Sequence, residues 1–203
     1  MTDKGVLVAG IGNVFLGDDA FGVEVAQRLS QRQLPQGVRV VDFGIRGMDL
    51  SYALLDGLDQ AILVDTRQQG GPPGTLYVIE PELEDKPDDA HPQDLLISPH
   101  DMDPGKVLRI VKAMGGRCRR ILLVGCEPAS FGTETEEQGR MGLSEPVAAA
   151  VDEAVGLIES LISEMVEREP EKVGNSSHYQ RHRNMTYPHN EDCLNEQAKR
   201  RLT

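Results

Sequence analysis

Three short apolar runs, GVLVAGIG at 5–12, VRVVDFG at 38–44 and QAILVDT at 60–66, are separated by two stretches with helical spacing. This rhythm constrains the fold more than any other feature of the chain. Runs of this length, closed by glycine or a polar residue, are buried strands; a buried helix would run longer. Between the first two, residues 19–33 put Phe21, Val23, Val25, Ala26 and Leu29 on one side and Glu24, Gln27, Arg28 and Gln31 on the other. That is a helix with one wet face, expected to stop at LPQG, 34–37. MDLSYALLDG at 48–57 is a shorter helix ended by Gly57. The order β-α-β-α-β predicts parallel strands with helices on the faces of the sheet.

After residue 66 the rhythm breaks. RQQGGPP at 67–73 is too short for a crossover helix, so the next strand, GTLYVIE at 74–80, is expected to run antiparallel to its predecessors. Residues 81–99 are polar and contain several prolines, a loop long enough to carry function. A helix follows at 103–116, with Pro104 in its first turn. RRILLVGCEP at 119–128 is the fifth strand, 129–143 a second Gly-containing acidic loop, and 144–169 the last helix, with Ser144 available as its cap. The folded unit is therefore expected to span 1–169. Residues 170–203 are polar and aperiodic and are expected to be disordered or loosely attached.

The chain has a formal charge of -12, divided as -14 on residues 1–169 and +2 on 170–203. An acidic body argues against a nucleic-acid partner and is compatible with a cation or a basic peptide. No apolar run reaches the ~20 residues of a membrane-spanning helix, and the amino terminus enters a strand without a signal-peptide pattern. Cys118, Cys126 and Cys193 form no CxxC pair, which points to a reducing compartment and hence the cytoplasm. Nothing in the sequence demands more than a monomer.

GIGNVFLGDDAFG, residues 10–22, places two aspartates side by side where a strand turns into a helix. A dinucleotide fingerprint would need glycine at position 15, which is Phe15, and a phosphate loop would need lysine after Gly17, which is followed by Asp18. No GxSxG or HExxH occurs, and Ser98 and Ser130 have no evident His/Asp companions. Other polar groups end strands: Asp42, Asp65, Cys126 and Glu127, with His100 just ahead of the third long helix. In an open α/β sheet such residues gather at the carboxyl edge. Two carboxylates and an imidazole form a borderline-hard ligand set for a divalent ion with positions left open. The same aspartates also suit helix caps and turns, and Cys126 suits a core position as well as a nucleophile. His178, His182, His189 and Cys193 of the tail have ligand-like spacing without an ordered setting.

GIGNVFLGDDAFG, DFGIRGMDL (42–50), ILVDT (62–66), LISPHDM (96–102), LLVGCEPAS (122–130) and GLSEPV (142–147), in this order, resemble the maturation endopeptidases of nickel–iron hydrogenases over roughly residues 4–165. The resemblance implies a three-layer α/β/α sandwich around a five-stranded, mostly parallel sheet whose fourth strand is antiparallel. It implies an endopeptidase that removes the C-terminal extension of the nickel-loaded large-subunit precursor. It implies Asp19, Asp65 and His100 as metal ligands, with zinc or cadmium as possible occupants in the resting protein, and leaves Asp18 to cap the helix or orient the loop. Asp42 and Gly44 correspond to a segment associated with sensing nickel in the substrate. The family often reads Asp-x-Gly-Thr there, whereas Ile45 replaces the threonine. Two rival functions stand beside it: a nickel-checking chaperone that uses the same three ligands and does not cut, and a metal-dependent peptidase of other specificity.

Overall fold

The computed structural model of the protein describes residues 5–56, 58–81, 104–116, 118–130, 141–167 and 185–187. Its strands are β1 (Val6–Ile11), β2 (Val38–Gly44), β3 (Gln60–Thr66), β4 (Leu76–Ile79), β5 (Arg120–Cys126) and β6 (Met185–Tyr187). Its helices are α1 (Phe21–Leu29), α2 (Gly47–Leu55), α3 (Pro104–Ala113) and α4 (Glu145–Glu167), with a single 3-10 turn, Asp18–Ala20, ahead of α1. The sheet order is β2-β1-β3-β5-β4-β6. β1 is parallel to β2 and β3, β3 is parallel to β5, and β4 is antiparallel to β5. The short link after β3 reverses the chain, as its length requires: Arg67 N–H donates to the Cys126 carbonyl and Gly74 N–H to that of Glu127, both at 2.8 Å.

Alternation along the strands divides the core in two. Val6, Val8, Ile62, Val64, Leu122 and Val124 pack with α1 and α4, while Leu7, Ala9, Leu63 and Ile121 pack with α2 and α3. Because both faces are covered, the strands read as continuous apolar runs. The chain moves from β1 out to β2 and then back past β1 to β3, so right-handed crossovers place α1 and α2 on opposite faces. Phe21, fully buried at the start of α1, contributes roughly 2–3 kcal/mol by its burial.

α1 is shorter than its apolar period predicts. The Ser30 hydroxyl donates to the Gln27 carbonyl at 2.7 Å, and the Gln31 and Arg32 N–H groups reach carbonyls three residues back. The last turn tightens and the helix stops at Leu29. α3 stops at Ala113, where Gly115 adopts φ 81 and Gly116 N–H returns to the Val111 carbonyl at 2.8 Å, a glycine-mediated stop.

Part of the tail pairs with the sheet. Met185–Tyr187 pair antiparallel with β4, Met185 opposite Val78 and Tyr187 opposite Leu76, adding a sixth strand to the expected five. An edge strand accepts any extended segment through its main chain, so the polarity of the tail could not reveal this pairing. The rest of residues 170–203 lies outside the described residues, as do most of the two predicted loops. Among the described residues no helix is long and apolar enough to cross a membrane.

Candidate active site at the carboxyl edge of the sheet

The strand order reverses between β1 and β3, and a crevice opens beyond the carboxyl ends of two such strands. The turn leaving β1 is tight. Gly12 has φ 135, and a Cβ there would lie 1.7 Å from the Asp19 carbonyl oxygen. The start of α1 presses equally hard on the sheet: a Cβ on Gly22 would lie 2.1 Å from the Val64 carbonyl oxygen. These glycines let the aspartate pair approach the end of β3.

Asp19 and Asp65 each accept a hydrogen bond from Thr66, which follows Asp65 in the chain. Asp19 Oδ1 accepts the Thr66 hydroxyl at 3.3 Å, while its Oδ2 accepts the Asn13 N–H at 2.7 Å. Asp65 Oδ1 accepts the Thr66 N–H at 2.8 Å. Asp65 and Thr66 are both buried and Asp19 is half-buried. A carboxylate oxygen offers two lone pairs, so the two hydrogen bonds of Asp19 aim it without using its full acceptor capacity. Asp19 therefore has bonding partners in its own loop and in β3, and does not cap α1.

Asp18 turns the other way. It is 1 % exposed, and its carboxylate accepts four hydrogen bonds: Ala129 N–H at 2.8 Å, Ser130 N–H at 3.1 Å, Ser144 N–H at 2.6 Å and the Ser144 hydroxyl at 3.0 Å. Burial pushes its pKa up, but the hydrogen bonds from Ser144, Ser130 and Ala129 outweigh that and hold it below the usual carboxylate value. Of the two expected roles, orienting a loop is the one observed: Asp18 ties both ends of the segment between β5 and α4. Ser144 stands at the start of α4, its carbonyl accepting the Ala148 N–H at 2.8 Å, but its hydroxyl is directed to Asp18.

Asp42 lies two residues before the end of β2, half-buried. Its Oδ1 and the Gly12 carbonyl oxygen each lie 3.7 Å from where a Gly44 Cβ would be, and Gly12 N–H donates to the Gly44 carbonyl at 3.1 Å. The loops after β1 and β2 are thereby side by side. The Asp42 main-chain carbonyl accepts the Arg46 guanidinium. His100 lies outside the described residues, and among those described no three His, Cys, Asp or Glu side chains converge as a metal site. Cys126 is core: burial pushes its thiol up to about 12, so it is protonated at neutral pH and no nucleophile. Cys118 is likewise pushed up to about 11.

The model of the hydrogenase maturation protease family matches residues 23–161. The chain belongs to the hydrogenase maturation protease family. It is 31% identical over 163 residues to a Methanocaldococcus jannaschii protein whose name assigns it to this family, covering 78% of this chain and 96% of that one. The hydrogenase maturating endopeptidase HybD of Escherichia coli superposes with a TM-score of 0.60 at 26% identity, over 79% of this chain and 93% of that chain. A [NiFe] hydrogenase maturation protease of Thermococcus kodakarensis superposes with a TM-score of 0.55 at 25% identity, over 79% and 93%. The switch point between β1 and β3 is thus carried on a maturation-protease fold.

Three contributors escaped the sequence reading: Asn13, Thr66 and the structural use of Glu127. Glu127 is buried and accepts Gln69 N–H at 2.7 Å, Gly70 N–H at 3.2 Å and the Tyr77 hydroxyl at 2.8 Å. Burial raises its pKa, but these donors outweigh burial and leave it lowered. Its task is to hold the link between β3 and β4. A signal for Thr66 was present in the motif ILVDT, where a hydroxyl residue follows the strand-end aspartate.

Proposed function

We propose that the chain is the endopeptidase that removes the C-terminal extension from the nickel-loaded large-subunit precursor of a nickel–iron hydrogenase. In this reading Asp19, Asp65 and His100 hold the nickel that the precursor presents. The observation that carries it, within the family already established, is the hydrogen bond that ties Asp19 to Thr66, the neighbour of Asp65 at the end of β3. Two carboxylates close together repel each other unless a cation or donors lie between them, and carboxylate oxygens with an imidazole nitrogen suit a divalent transition metal. Zinc or cadmium would use the same groups in a resting protein.

The nickel supplies Lewis acidity toward the scissile carbonyl or the attacking water. The chain supplies position. Asn13 and Thr66 aim Asp19, and the Thr66 N–H aims Asp65. Asp18 closes the segment between β5 and α4 beside the crevice. Asp42 and Gly44, next to Gly12, form the side on which the precursor is recognised. The acidic body draws a basic extension toward the site, and the free thiols fit action in the reducing cytoplasm.

The test is to incubate the protein with nickel-loaded and nickel-free precursor and weigh the products. Shortening of the loaded form alone supports the proposal. A stable complex without loss of mass would make the protein a nickel-checking chaperone. Turnover of unrelated peptides without nickel-loaded precursor would make it a peptidase of other specificity.

A further inference from the structure

Thr66 touches both candidate ligands with different parts of itself. Its main-chain N–H donates to Asp65 Oδ1 at 2.8 Å and its hydroxyl donates to Asp19 Oδ1 at 3.3 Å. It ends β3, paired with Cys126 of β5, so its main chain is fixed by the sheet. It is buried, which limits competition from water for either bond. Asp19 itself stands on a 3-10 turn outside the sheet, attached there by the Asn13 N–H on its other oxygen.

We propose that Thr66 is a positioning residue of the cleavage site, its hydroxyl and N–H setting the separation of the Asp19 and Asp65 carboxylates for the nickel presented by the substrate. This rests on the proposed function for its consequence in catalysis. The main-chain bond survives any substitution that leaves β3 intact. The hydroxyl bond does not, and its loss leaves Asp19, among the described residues, with only the Asn13 contact, which lies within its own loop. Groups that orient ligands in this way change metal affinity or activity by about 10–100-fold when removed.

Thr66→Val removes the hydroxyl and keeps the branched shape that β3 favours; Thr66→Ser restores the hydroxyl and removes the methyl. Two measurements apply to each full-length variant. In cleavage of nickel-loaded precursor, Thr66→Val is expected to lower kcat by about tenfold or more, with KM within a factor of two. Thr66→Ser should stay within about threefold of wild type. In calorimetric titration of the protein alone with nickel ion, Thr66→Val should weaken binding by about tenfold and Thr66→Ser should not. Equal kcat for Thr66→Val and wild type would overturn the proposal. So would equal losses in the two variants, because the effect would then not follow the hydroxyl. If wild type binds nickel but does not cut the loaded precursor, the proposed function fails, and the titration alone decides the role of Thr66.

Discussion

Asp18→Asn separates the two aspartates that begin as a puzzle of like charges. An amide in place of the carboxylate keeps one acceptor oxygen and turns the other position into a donor. With its oxygen where Asp18 Oδ2 lies, Ala129, Ser130 and the Ser144 hydroxyl keep a partner, but the Ser144 N–H faces an NH2 group. A buried donor left unmatched costs about 1–3 kcal/mol, or roughly 3–10 °C in a chain of this size, measurable by calorimetry. Asp18 and Glu127 also set an acid limit. Burial alone would raise both, but their hydrogen bonds leave both lowered in the folded state. In the acid range the unfolded chain therefore binds more protons, and stability rises with pH. Their contribution is complete above the ordinary carboxylate value of about 4 and is lost as pH falls through the lowered folded values. The thermal midpoint of wild type should hold between pH 7 and 5 and fall below about pH 4. An Asp18→Asn/Glu127→Gln variant should start lower at pH 7 and fall less. Parallel curves for the two proteins would contradict the assignment. Loop orientation by Asp18 was an expected role, but the partners in these roles were not legible in the chain, because those of Asp18 lie 111 to 126 positions away and Thr66 lies 47 from Asp19. Local pattern cannot report such contacts.

At the scale of elements the sequence was more informative, since strands and helices announce themselves by periods within a dozen residues. β1 to β5, the reversal of β4 and all four helices follow from runs, turns and link lengths. What did not follow are features set by hydrogen bonds across or beyond an element: the early stop of α1 at Ser30 and the pairing of Met185–Tyr187 with β4. The glycines give a sharp test of packing. Gly22→Ala would bring a Cβ within 2.8 Å of Val64 and Ile11 main-chain atoms, which cannot swing aside as a side chain would. α1 must lift from the sheet, at a cost of about 2–4 kcal/mol. A Cβ on Gly156, inside α4, would meet nothing within 4 Å, so Gly156→Ala should stabilise by about 0.5–1 kcal/mol. Urea unfolding of both variants reads the contrast. A mild effect at Gly22 would mean that α1 is less tightly seated than described.

Over the whole molecule, the doubly covered sheet places the ends of β1, β2, β3 and β5 along one edge, and an acidic body surrounds it. Of the expected site residues, Asp19 and Asp65 came from motifs, and in the structure each accepts a hydrogen bond from Thr66; His100 lies outside the described residues. The most direct measurement is the mass of nickel-loaded large-subunit precursor after incubation with wild type, Asp19→Ala and Asp65→Ala, with the melting of each protein recorded alongside. The expected result is a shortened precursor with wild type and an intact one with either variant, both variants remaining folded. Cleavage by both variants at the wild-type rate would contradict a site built on these two carboxylates.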